Sequence, residues 1–131
     1  MIETSTRQSW LLVVAALFCV VLSACDLDAP KVTSATVSIY QAAQPLRSWQ
    51  LSRSQVSSLE AWLAQHRAGW DPDMATYEPR ILITANAADG SVWSINVLGT
   101  VVAIVRGQAK LKQSFARADI DSLVAAIGVS P

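Results

Sequence analysis

The chain holds two cysteines, Cys19 and Cys25, and none from residue 26 to its end. A disulfide inside that stretch is excluded whatever its compartment, so packing alone must stabilise it. Histidine is scarcer, with His66 the single example. Zinc needs three or four His, Cys or carboxylate ligands, and that supply does not meet the demand. Neither sign of charge is in excess: ten acidic residues face ten basic ones, with no basic run. The electrostatic footprint of a nucleic-acid binder is therefore missing. So are a glycine-rich phosphate loop and a Gly-x-Ser-x-Gly nucleophile elbow. Long apolar runs are missing too. The longest, Trp10–Leu22, would cover about 20 Å as a helix at ~1.5 Å per residue. A bilayer's hydrocarbon core is about 30 Å thick, and Asp26, Asp28 and Pro30 follow almost at once.

What is present at the start is an export signal. A polar segment with Arg7 precedes the apolar run, and small residues close it. The closing residues are Leu22-Ser23-Ala24-Cys25. A plain signal-peptidase site after Ala24 is the competing reading, but a large Leu three residues before the cut suits it poorly. The tetrad resembles the lipobox of bacterial lipoproteins. That resemblance covers residues 1 to about 28 and implies removal of 1–24, with Cys25 as the mature N-terminus. It also implies a diacylglyceryl group on the Cys25 thiol and acylation of the freed amine, so the membrane is a partner through lipid. Asp26 directly after the cysteine resembles the signal that retains such proteins in the inner membrane of enteric bacteria, with Asp28 in support. The implied location is the cell envelope, periplasm-facing.

Residues 25–33 read as a short tether and 34–131 as one small domain. Thr36–Tyr40 alternates with β-branched residues, as a half-buried strand does, and Leu46–Leu51 makes a second strand. Ser52 and Gln55 fit a capping box, and Val56, Leu59, Trp62 and Leu63 share one face of a helix running to Ala68 before Gly69. Strands follow over Arg80–Asn86 and Ser91–Val97, joined by an Asp89-Gly90 turn. Thr100–Arg106 is apolar on both faces, and Leu98-Gly99 is either a tight turn or a bulge before it. Leu111–Phe115 reads as an edge strand guarded by Lys110 and Lys112. A last helix over Asp119–Ile127, capped by Asp119, stops at Gly128. The expected class is α+β: a mostly antiparallel sheet of five or six strands with two helices on one face.

The acids fall mainly in turns and caps, and no cofactor is expected. His66 near a helix end suits the helix dipole; a catalytic role would need Asp71 or Asp73 to orient it. Asp71, Asp73 and Glu78 supply oxygen ligands of the kind calcium takes, without the full calcium-loop spacing. Trp49, Trp62 and Trp93 are expected in the core. Trp70 opens Trp70–Pro79, a loop longer than the usual ~4–6 residues, and is expected to stay exposed. Trp70, Asp71 and Asp73 are thus the candidate partner-binding residues. The sum is a non-enzymatic envelope lipoprotein that binds a protein, as part of an envelope complex or as an inhibitor or immunity-type protein. The alternative is a periplasmic small-ligand binder, or an enzyme with an unrecognised pocket.

Overall fold

The computed structural model describes residues 26–130. The expected lipobox, Leu22–Cys25, lies outside them. The elements run β1 (Val32–Gln41), β2 (Gln44–Gln50), α1 (Arg53–Gln65), β3 (Asp71–Pro72), β4 (Ile81–Ala87), β5 (Val92–Leu98), β6 (Val101–Arg106), β7 (Ala109–Ser114) and α2 (Arg117–Ala126). The strands form one sheet in the order β2-β1-β4-β5-β6-β7-β3. Every pairing is antiparallel. The class is α+β.

Strand alternation decides what each face holds. Ile83 lies opposite both Val37 and Ile95, and Ile95 lies opposite Ile104. All four are buried, in one cluster with Leu59 and Leu63 of α1 and Leu123 and Ile127 at the end of α2. The opposite face carries Thr84, Ser94, Asn96 and Lys112, the neighbours expected of a wetter surface.

The sheet has seven strands, not five or six. The addition is Asp71–Pro72, which pairs with Lys112 and Leu111 of β7. Two residues leave no alternation to read, and Pro72 has no N–H to donate, which confines it to an edge. The Asp73 N–H extends the pairing to the Lys110 carbonyl at 2.9 Å. Gly99 starts a turn with φ +66° between Leu98 and Val101, which pair directly. Gly at the first central position is what a two-residue II′ hairpin turn requires, so the bulge is excluded.

The tether expected over 25–33 is shorter than the sequence suggests. Leu27 and Val32 are buried at 3% and 6% exposure. The Leu27 N–H bonds the Arg67 carbonyl at 2.6 Å, and Arg67 Nε donates back to the Leu27 carbonyl at 3.2 Å. A single apolar residue between aspartates carries no periodicity, so the docking of Leu27 depends on a helix end 40 residues away.

The capping box closes as expected, with the Gln55 N–H on Ser52 Oγ at 3.2 Å and the Ser52 N–H on Gln55 Oε1 at 2.9 Å. α1 ends at His66 rather than Ala68. α2 starts two residues before the expected cap. Its N-cap is Ala116, which has no side-chain acceptor, and Asp119 sits inside the first turn where its charge suits the dipole. Tertiary contacts fix this helix in place of a cap. The Trp62 indole N–H donates to the Asp119 carbonyl at 2.9 Å, and the Trp49 indole N–H to the Ile127 carbonyl at 3.1 Å. Trp62 and Trp93 are buried as expected, and Trp49 is half-buried.

One turn works against its own residues. Ala42 and Ala43 join β1 to β2 with φ +48° and +62°, a left-handed conformation that costs an L-residue with a Cβ about 1–2 kcal/mol. Type I′ hairpin turns favour Asn-Gly at these positions. The double change Ala42→Asn/Ala43→Gly is expected to stabilise the domain by about 1 kcal/mol. The measurement is a urea titration, in which the midpoint should rise while the slope stays fixed.

Candidate functional site

The segment from Trp70 to Arg80 leaves the end of α1, joins the β7 edge through β3, and crosses the wetter face of the sheet to enter β4. Three fastenings hold this strap. At its start, Trp70 is completely buried. Its indole N–H donates to the His66 carbonyl at 2.6 Å, and its ring meets Phe115 edge-on at 5.6 Å. Gly69 makes the approach possible. It has φ +87°, and a Cβ there would lie 2.7 Å from the Gln113 side-chain nitrogen.

The second fastening is Asp73, buried at 6% exposure. Its Oδ1 accepts the Ala75 N–H at 3.0 Å and lies 3.9 Å from Lys112 Nζ. The Ala75 bond and, after it, the Tyr77 hydroxyl and the Lys112 and Lys110 charges outweigh desolvation and hold the carboxyl below its ordinary range. Tyr77 is shifted upward, chiefly because its hydroxyl bonds Asp73, and also by burial and that negative charge. The third fastening is Asn96 of β5, 8% exposed. Its Oδ1 accepts the Arg80 N–H at 3.1 Å, and its Nδ2 donates to the Glu78 carbonyl at 3.1 Å.

Between its fastenings the strap presents Met74, 94% exposed. Tyr77 divides the space beneath into two hollows. One, of about 250 Å³, lies against Asn96, Ala103 and Lys110. The other, of about 530 Å³, is open and is lined by Asp71, Glu78, Arg80 and Lys112. Its charges are mixed, two of each sign, so it selects neither anions nor cations.

This arrangement corrects the expectation of an exposed Trp70. The ring is a core side chain, and the basis for making it a contact residue is gone. Local sequence cannot show that Phe115, far along the chain, closes over it. Asp73 likewise faces inward and acts as a brace, while Asp71 remains exposed on the edge strand. Two residues escaped the sequence reading. Met74 was passed over among prolines and acids. Asn96 carried a usable signal, because Asn is depleted in strands and here interrupts a β-branched run.

The ligand sets that the sequence left open do not assemble. Among the described residues, no three His, Cys, Asp or Glu side chains converge, so Asp71, Asp73 and Glu78 do not form a calcium cage. His66 approaches neither Asp71 nor Asp73. Its Nδ1 bonds the Trp62 carbonyl at 2.7 Å, its ring stacks on Trp62 at 4.2 Å, and its Nε2 lies 3.5 Å from Asp119 Oδ1. The imidazole sits in an aromatic cluster with Trp62 and Phe115. Among the described residues, no helix is long and apolar enough to cross a membrane.

The brace predicts a pH window for the strap. A carboxyl with a lowered folded pKa stabilises fully above its unfolded value of about 3.9. That contribution fades as pH falls through the lower folded value. Tyr77, raised when folded, contributes below its unfolded value of about 10 and loses that contribution as pH climbs through its raised one. The strap is therefore expected to stay closed from mildly acidic to mildly alkaline pH and to loosen in strong acid. Asp89 also titrates low through its Ser91 bonds, so a local probe is required. The Ala75 amide resonance should move with acid in the wild type and stay flat in Asp73→Asn.

No protein-family model matches this chain, and neither a curated protein nor a solved structure matches it.

Proposed function

We propose that this chain is a non-enzymatic lipoprotein of the bacterial envelope. Cys25 is its lipidated N-terminus and Asp26 its inner-membrane retention signal. Its domain, with two helices laid over one face of the sheet, uses the strap on the other face to hold a protein partner. The observation that carries this reading is Met74, displayed on a segment braced at both flanks by buried polar side chains. A rigid backbone presenting one large apolar side chain loses little entropy on binding, which favours a contact anchor. Met is also adaptable at interfaces. The partner is an envelope component or an enzyme that the protein restrains.

Met74→Asp is expected to abolish, and Met74→Ala to weaken by about 2 kcal/mol, the capture of that partner from detergent-solubilised membranes. Thermal melts of both variants should match wild type, because the side chain has almost no folded contacts to lose. Unchanged capture by Met74→Asp would remove the strap from the interface. The open hollow of about 530 Å³ favours a second reading, binding of a small ligand, since its volume falls in the range of known ligand pockets. That reading predicts unchanged capture with Met74→Asp and loss of ligand binding when Tyr77 is replaced by Ala.

A further inference from the structure

We infer that the domain rests on the bilayer in one fixed orientation, with the Gly107-Gln108 turn toward the lipid and the Gly99-Thr100 turn away from it. This rests on the reading of Cys25 as the lipidated residue. Leu27 is buried and tied to Arg67 by two hydrogen bonds, one between main chains and one from the Arg67 guanidinium to the Leu27 carbonyl. Only Asp26 separates this fixed point from Cys25, and two residues of extended chain reach about 7 Å. The lipid therefore leaves the domain from a defined place.

That place is one end of the sheet. Residues 28–31 run past Ala88, Asp89, Trp93 and Arg106, and the Ala88 N–H bonds the Lys31 carbonyl at 2.8 Å. The β4–β5 turn and the β6–β7 turn at Gly107-Gln108 lie at this end, as does Val92, which is 51% exposed. The β5–β6 turn at Gly99-Thr100 lies at the other end, about 20 Å away along six strand residues at ~3.3 Å each. The open hollow beside Tyr77 is lined by Leu98, Val101 and Ser114, so it too faces away from the membrane. Charge is a minor contributor to the orientation. Arg67 stands near Asp28 and Arg106 near Asp89, which among the described residues leaves Lys31 as a single cation beside them, too little to orient the domain on a neutral phosphatidylcholine surface. The short tether supplies the orientation.

The test uses the full chain with its native anchor, in phosphatidylcholine vesicles containing head-group spin-labelled lipid. Residues 26–131 contain no cysteine, so Gln108→Cys and Thr100→Cys each accept one fluorophore. Quenching at 108 should exceed that at 100 by at least threefold. Inserting ten Gly/Ser residues between Asp26 and Leu27 should bring the two values together. The mass of the N-terminal peptide, measured on the same sample, separates the two possible failures. Equal quenching with acyl chains present overturns the orientation, as does a difference that survives the insertion. An unmodified Cys25 overturns the lipoprotein reading itself.

Discussion

Trp70→Ala should unfold or nearly unfold this domain, at a cost of about 3–5 kcal/mol, the range for truncating a buried Trp to Ala. The ring is fully buried, touches Phe115, and satisfies the His66 carbonyl where α1 releases the chain. Removing it leaves a cavity and an unpaired carbonyl together. It also frees the start of the strap, so Asp73 loses the geometry that bonds Ala75. Trp70→Phe should recover most of the packing and not the hydrogen bond, leaving a loss of about 1 kcal/mol. Trp93→Ala should cost a similar 3–5 kcal/mol, because that ring is 1% exposed within the buried core cluster. Chemical denaturation of the three variants measures all of this. A Trp70→Ala protein as stable as wild type would mean that the ring is not the keystone of the strap.

The contrast between Trp70 and Trp93 shows what was legible in the chain. Trp93 alternates with Ile95 and Val97, and a period of two announces a buried face without help from elsewhere. The capping box of Ser52 and Gln55 was legible for the same reason: both partners lie within one turn. Trp70 follows a helix-ending glycine and precedes Asp71-Pro72-Asp73, a local pattern that belongs to exposed turns. Its burial is decided by Phe115 and by the docking of β3 on β7, which no short window contains. Leu27 repeats the lesson, since its partner Arg67 lies 40 residues away, beyond two strands and a helix. The start of α2 was misplaced because Asp119 is a good cap by composition, while the actual helix start follows from contacts made by Trp62. The length of the connection after α1 was legible in the chain. Which of its side chains point out was not: the acid that attracted notice, Asp73, is the brace, and the neutral Met74 is the one displayed.

The largest effect of any single change is expected at Cys25. Each buried methylene contributes about 0.8 kcal/mol of membrane affinity, and one acyl chain holds only marginally, whereas two or three hold stably. The described residues contain no membrane-length apolar helix, and at the end near Leu27 Arg67 and Arg106 lie beside Asp28 and Asp89. On the proposed reading, attachment depends on the Cys25 thiol and its acyl chains. Asp26→Ser keeps that thiol and changes only the proposed retention signal, so in an enteric host it should shift the protein from inner- to outer-membrane fractions of a density gradient. An unshifted position would end the case for Asp26.

Membrane fractionation after high-salt and carbonate washes, comparing the wild-type chain with Cys25→Ala, tests the lipid anchor most directly. Wild type should remain wholly in the membrane pellet, and Cys25→Ala should be released into the supernatant as a folded domain. A Cys25→Ala protein that stays in the washed pellet would contradict the account.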